Sequence, residues 1–192
     1  MKSADLQSQL ITYSADTCGH LESRGYIGLS GIGDCARVTY DRYTQGKPAP
    51  LCDRLKFKLS NELEAALIAR ITDLGVYGPR REIVLHGGLV QGHTDGELDG
   101  DLLEIKTLAC EKYIPTAGKI PTRIYWQVQA YLRYGPYRLA HLLYLARDTG
   151  AIVVLPVVPN RYTQDAIART IDLLVNAVAK AQRPICTCDR CS

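Results

Sequence analysis

Apolar residues in this chain keep a helical spacing up to Leu74 and change to an alternating one at Glu82, through Thr107, so neither an all-helical nor an all-strand fold can bury both sets. Leu63, Leu67, Ile71 and Leu74, with Ala66 and Arg70 between, predict a core-facing stripe on a helix capped by Ser60 and closed before Gly75. Glu82–His86 and Leu89–His93 predict two strands joined by Gly87-Gly88 as a two-residue hairpin turn, and a further turn at Gly96–Gly100 leads into a strand over Asp101–Thr107. Thr122–Tyr134 reads as a helix stopped by Gly135-Pro136. Leu139–Ala146 and Ala151–Val158 read as strands around Asp148-Thr149-Gly150, with Pro156 marking a sheet edge. Thr163–Gln182, capped by Thr163, is the longest predicted helix. Upstream, residues 3–14 predict a short helix, and Ser30 predicts the cap of another that runs to about Tyr43 and closes at Gly46, with Cys35 in its early turns. This order implies an α/β fold, a central mixed β-sheet flanked by helices.

With 192 residues, 46% of them hydrophobic and 22% charged, the chain suits one globular domain and excludes disordered, collagen-like and solenoid classes. No run approaches the roughly 18–20 apolar residues of a membrane span, and the Met1–Asp5 start has no signal-peptide pattern, so the expectation is a soluble, cytoplasmic protein without a membrane partner. A net charge of +3 neither requires nor opposes a nucleic-acid partner. Among seven cysteines, Cys186, Cys188 and Cys191 crowd the C-terminus, which in a cytoplasmic chain points to metal ligation before disulfides. Three thiolates fall short of the four that zinc or a cubane cluster takes. Cys18, Cys52 and Cys110 are expected to be small buried hydrophobes.

The chemistry concentrates in Gly92-His93-Thr94-Asp95-Gly96 and Glu104-Ile105-Lys106. Alternation puts Glu104 and Lys106 on one face of their strand and Leu103 and Ile105 on the other. If the strands pair, Asp95 and Glu104 converge beside the Ile105 carbonyl, a hard-oxygen set suited to Mg²⁺ or Mn²⁺. A lysine beside such an ion fits phosphodiester hydrolysis. His93 reads equally as a metal ligand, a DNA contact or a hydrogen-bonding residue at a strand end. Gln127 and Tyr131, four residues apart, share one helix face, with Arg123, Tyr125 and Trp126 at the same helix start. Arg80-Arg81 reads as a solvated pair.

The succession Ser30-x4-Cys35-x-Arg37, a glutamate-bearing helix, Gly92-His93-x-Asp95-Gly96, Glu104-x-Lys106, Gln127-x3-Tyr131 and a terminal cysteine triplet resembles the RecB-like branch of the PD-(D/E)XK nucleases. Within that branch it is similar to small stand-alone phage enzymes and to CRISPR-associated iron–sulfur nucleases. The resemblance spans residues 25–192 and implies a restriction-endonuclease-like core, with a helical part to about residue 80, the nuclease core at about 81–160, and a C-terminal helix and cysteine tail. It implies that Asp95, Glu104 and Lys106 are catalytic, and that Glu64, before Glu62, is the helix carboxylate. It also implies that Gln127, Tyr131 and Arg37 handle DNA, and that Cys35 joins Cys186, Cys188 and Cys191 around a [4Fe–4S] cluster linking the two chain ends. Thr94 stands where the family has proline, Ser60 where it often has glycine, and the cysteine triplet is tighter than usual, which leaves zinc or an empty site open. The expected function is Mg²⁺- or Mn²⁺-dependent DNA hydrolysis, as an exonuclease on ends or single strands, alongside recombination or replication proteins. The alternative is a noncatalytic nucleic-acid-binding or scaffolding protein on the same fold; a site-specific restriction endonuclease would need a recognition subdomain that the sequence does not display.

Overall fold

The structure, a computed structural model, describes residues 25–46 and 51–186, with side chains omitted at 51–55 and 117. The expected helix at residues 3–14, Cys18, Cys188 and Cys191 lie outside the described residues, as does the side chain of Cys52. Strand β1 (Ile27–Gly28) is followed by helices α1 (Ala36–Gln45) and α2 (Leu51–Asp73), then by strands β2 (Tyr77–Gly78), β3 (Glu82–Leu85), β4 (Val90–His93), β5 (Gly96–Leu98) and β6 (Asp101–Leu108). Helix α3 (Thr122–Tyr134), strands β7 (Ala140–Ala146) and β8 (Ile152–Val157), and helix α4 (Arg161–Ala179) complete it.

The strands form two mixed sheets, one ordered β1-β4-β3 and the other β2-β5-β6-β7-β8. The chain passes from the first to the second between His93 and Gly96, so Thr94 and Asp95 stand where the sheets part. β6 is central, antiparallel to β5 and parallel to β7. Its side chains divide as alternation demands. Leu103 and Ile105 pack with Leu143 against Ile71 of α2, while Leu102, with Leu142 and Tyr144 of β7, belongs to the larger core under α3 and α4.

Several boundaries differ from the sequence expectation, each for a physical reason. Ser30 caps no α-helix: α1 begins at Ala36, with Cys35 itself at the N-cap. A β-carbon on Gly33 would come within 2.7 Å of the Arg123 backbone, so the 31–34 segment is pressed against α3 instead of winding early. Ser60 lies inside α2, because the stretch before it is helical and overrides the capping signal. Leu74 falls just past the helix end and is 75% exposed. The β3–β4 hairpin is real, but Leu85 pairs with Val90, making a four-residue loop with positive φ at His86, Gly87 and Gly88. The turn expected at Gly96–Gly100 contains β5. The reversal is Asp99-Gly100, both with positive φ as a tight two-residue hairpin turn requires. Asn160, not Thr163, caps α4, its side chain accepting the Thr163 N–H at 2.9 Å. Cys110 is half-buried with its thiol on Asp148, not a buried hydrophobe.

No helix among the described residues is long and apolar enough to cross a membrane. The C-terminal segment returns to the N-terminal side: Arg183 pairs with Asp41 of α1 through both carboxylate oxygens, and Cys186 Sγ lies 3.2 Å from Cys35 Sγ.

Candidate active site

Asp95, Glu104 and Lys106 meet in a cleft of about 180 Å³ at the parting of the two sheets, lined also by Glu64, His93, Gln127 and Tyr131. Each carboxylate arrives by a different route. Glu104 is placed by the β6 alternation and is 1% exposed. Asp95 sits at the parting itself, held at both ends: its Oδ2 accepts the Ile105 N–H at 2.7 Å, and its carbonyl accepts the Tyr77 hydroxyl at 2.9 Å. The Tyr77 ring lies where a β-carbon of Gly96 would be, which with φ of +155° explains that glycine. Gly92 answers a second close approach, since its β-carbon would meet the Tyr131 ring at 2.6 Å.

Because a strand residue directs its N–H and C=O to the same side, the Ile105 N–H on Asp95 also turns the Ile105 carbonyl toward the cleft. Glu64 comes from α2 on the face that carries Leu67, Ile68 and Ile71, one turn beyond the residues packed on the sheet. Glu62 is off that face and exposed, so Glu64 is the helix carboxylate of the cleft.

The electrostatics follow from this crowding. Burial, with Asp95 and Glu64 adding to it against the Lys106 ammonium, pushes Glu104 up to about 8. Burial also raises Asp95 against Lys106 and the Ile105 N–H, and burial followed by Asp95 raises Glu64. Burial opposes the Lys106 charge, yet Glu104, Asp95 and Glu64 outweigh it and hold the ammonium above its ordinary range. Oε1 of Glu104 accepts both Lys106 Nζ and the Gln127 amide, the latter at 2.7 Å. Oε2 is buried and has no hydrogen-bond partner among the described residues. The Tyr144 hydroxyl, on the neighbouring strand, is likewise buried without a partner; burial, then Glu104, pushes it up to about 12.

The other expected residues fall into place unevenly. Gln127 and Tyr131 do share a helix face, but both are buried, and the Gln127 amide donates to Glu104 and to the Tyr131 hydroxyl. Tyr131 is 1% exposed and packs in the main core, so within the cleft lining this pair supports Glu104 from below. His93 lines the cleft, with Nε2 3.4 Å from Glu82 of the paired strand and its ring beside Tyr26. Arg37, in the first turn of α1, is not among the residues lining the cleft. Tyr125 and Trp126 pack on the main core, and Arg123 faces Asp34. Arg80 and Arg81 are not merely solvated: Arg80 pairs with Glu64 and Arg81 with the buried Glu97. The sequence signal for both was only their place just before β3.

No protein-family profile matches this sequence, and no curated protein matches it. Solved structures match in shape. The crystal structure of SSO0001 superposes with a TM-score of 0.58 at 18% identity, covering 89% of this chain and 86% of that one. An alkaline exonuclease, LHK-Exo from Laribacter hongkongensis, gives 0.63 at 16% identity over 88% of this chain and 93% of its own. The same exonuclease in complex with dAMP gives 0.60 at 13% identity, over 82% and 89%. The chain thus has the mixed α/β fold expected for a restriction-endonuclease-like core.

Proposed function

We propose that this protein is a divalent-metal-dependent DNA nuclease, an exonuclease acting on DNA ends or single strands in recombination, replication or spacer-type DNA processing. The observation that carries the reading is Glu104 Oε2, buried and unpartnered beside Asp95, Glu64 and Lys106 in an open cleft. Leaving a buried acceptor unmatched costs stability, so such a group marks a place where a ligand completes the set. Among the described residues no three acidic, histidine or cysteine side chains form a ready-made metal group, and the donors available are two carboxylates and a carbonyl, oxygens of the kind Mg²⁺ or Mn²⁺ takes. Asp95, Glu104 and the Ile105 carbonyl would hold the ion, with Glu64 beside them. When bound, it supplies positive charge for a phosphoryl oxygen and a more acidic water.

The chain's own residues do the remaining work. Gln127 fixes the Glu104 carboxylate, and the Ile105 N–H fixes Asp95, so both acids are set before substrate arrives. Lys106 keeps its proton and can donate an N–H to the attacking water or to the charge that develops on the phosphate. The fold shared with an alkaline exonuclease, one of whose structures holds dAMP, supports DNA as the substrate.

Cys35 and Cys186 would be two thiolates of a separate structural site, with Cys188 and Cys191 completing it. The resemblance in sequence supports a [4Fe–4S] cluster. The 3.2 Å between the two sulfurs brings these two thiols together but is shorter than the about 3.8 Å of sulfurs sharing one tetrahedral ion at Zn–S of about 2.3 Å, and the tight cysteine triplet keeps zinc as a second reading. Anaerobically purified protein should be brown in the first case and colourless with stoichiometric zinc in the second.

The test of the main reading is cleavage of end-labelled single- and double-stranded DNA, linear and circular, with Mg²⁺ or Mn²⁺. Linear DNA should be degraded from its ends, and Asp95→Ala, Glu104→Ala and Lys106→Ala should each stop it. Undiminished cleavage in excess EDTA, or by Glu104→Ala, overturns the mechanism.

A further inference from the structure

Arg80, between β2 and β3, is not itself among the residues lining the cleft but pairs with Glu64, which is, and three observations separate it from an ordinary surface arginine. Its backbone neighbourhood is fixed: the Arg81 N–H donates to Thr94 Oγ1 at 2.9 Å, and the Thr94 N–H donates to the Arg81 carbonyl at 3.0 Å, one residue before Asp95. Its guanidinium engages Glu64 through one nitrogen, Nη2, and its charge also reaches Asp95. The side chain is 55% exposed, and its other N–H groups have no partner among the described residues, so donors are left over beside Glu64, a residue that does line the cleft.

Lys106 is the more enclosed cation, 26% exposed against 55% for Arg80. Its ammonium is bound to Glu104 and lies under the influence of Asp95 and Glu64 as well. Arg80 is therefore the more exposed of the two cations, with donors left over beside Glu64. The charges agree: three carboxylates, Glu64, Asp95 and Glu104, face two cations, Lys106 and Arg80, leaving one net negative charge when all are ionised. A divalent ion turns that balance to one positive charge, which a single phosphodiester neutralises.

We propose that Arg80 is a catalytic residue of this cleft, its guanidinium passing from Glu64 to a non-bridging oxygen of the scissile phosphodiester when a divalent cation takes the Glu64 carboxylate. The inference rests on the nuclease reading above and names the group that holds the substrate's phosphate. A guanidinium suits the exchange because carboxylate and phosphate present the same spacing of acceptors to its planar fork.

The experiment compares wild type with Arg80→Ala, Arg80→Gln and Arg80→Lys in DNA cleavage, direct Mn²⁺ titration and thermal unfolding. Arg80→Ala and Arg80→Gln should lose about 10²-fold in kcat, as removal of a transition-state donor does. Mn²⁺ should bind them as tightly as wild type or more tightly, because the competitor for Glu64 is gone, and Tm should hold. Millimolar guanidinium, but not urea, should restore part of the activity of Arg80→Ala, and Arg80→Lys should fall between wild type and Arg80→Ala. Wild-type rates in all three variants would overturn the inference alone. So would Mn²⁺ affinity falling in step with activity, which would make Arg80 a positioning residue for Glu64. Absence of metal-dependent cleavage by wild type would overturn the nuclease reading and this inference with it.

Discussion

Glu97 and Glu104 are buried carboxylates on adjacent strands that each accept two donors on Oε1, and they differ at the second oxygen, which only in Glu104 is sealed from solvent without a partner among the described residues. Glu97 Oε1 accepts from Arg81 and, at 3.4 Å, from the Tyr137 hydroxyl, and Gly78 packs so closely that a β-carbon would come within 2.9 Å of the Glu97 side chain. Glu104 has Lys106 and Gln127 on one oxygen and nothing on the other. The first carboxylate closes a strut between β2, β5 and the chain after α3. The second is held firmly at one oxygen and left open at the other, as expected of a group that receives a ligand.

The sharpest way to break this contrast is to remove each acid in turn. Glu104→Gln should lower DNA cleavage by at least about 10³-fold, in line with loss of a member of a cooperating unit. It should leave stability within about 1 kcal/mol, because a neutral amide does not carry the cost of burying a charge. Glu97→Ala should do the reverse, costing about 1–3 kcal/mol through lost hydrogen bonds to a charged group, the lower end being favoured because Arg81 is half exposed. Its activity per folded molecule should stay close to wild type. Urea unfolding and a cleavage assay on both variants check the pair, and equal behaviour of the two would erase the distinction.

Much of this was legible in the sequence. The alternation around Glu104 fixed which residues share its face, whereas only the structure shows that Tyr131 and Tyr77 press on the glycines flanking His93 and Asp95. α3 has the bounds its stop signal predicts, because Gly135-Pro136 ends a helix locally. What escaped depends on partners far along the chain. The smaller sheet is completed by a two-residue parallel pairing of β1 with β4, which no local pattern announces. Helical periodicity brought Gln127 and Tyr131 together but could not say that their face looks inward. Ser60 carries a good capping signal, and α2 runs through it because the residues on both sides favour helix. Arg80 and Arg81 look alike in sequence, and the topology alone sends one to the open carboxylate cluster and the other to the closed one.

The second test is pH. With its pKa raised to about 8 in the folded chain against an ordinary value of 4.5, Glu104 binds a proton in the native state that the unfolded chain has lost between those values. Stability in EDTA should therefore fall as pH rises from about 4.5 to about 8 and level off, for this group, above that. The proton belongs on Oε2, since Oε1 already accepts two donors. A divalent ion that takes the proton's place should raise Tm more at pH 8 than at pH 5, and Glu104→Gln should flatten both trends. A pH-independent Tm shift with Mn²⁺ would show that the ion binds without Glu104.

A smaller effect is expected from the support of the open acid. Gln127→Ala removes the amide on Glu104 Oε1 without touching a cleft carboxylate, and should cost about 10- to 100-fold in Mn²⁺ affinity or rate, as groups that orient ligands do. Mn²⁺ titration separates the two contributions, and unchanged affinity together with an unchanged rate would make Gln127 a residue of the core alone.

The smallest effects sharpen the comparison furthest, because they come from single hydroxyls. Tyr137 donates to the closed acid at 3.4 Å, whereas the Tyr144 hydroxyl, buried on the strand beside Glu104, has no partner. Tyr137→Phe removes a long hydrogen bond and should cost about 0.5–1 kcal/mol, while Tyr144→Phe removes an unsatisfied hydroxyl at constant ring packing and should be neutral or stabilising. Burial is the larger force on Tyr144 and Glu104 the lesser, so losing the hydroxyl should also leave the pH midpoint assigned to Glu104 nearly in place. If Tyr144→Phe instead destabilises the protein and moves that midpoint upward, the hydroxyl is supporting the Glu104 carboxylate, and Oε2 is less open than its lack of a partner indicates.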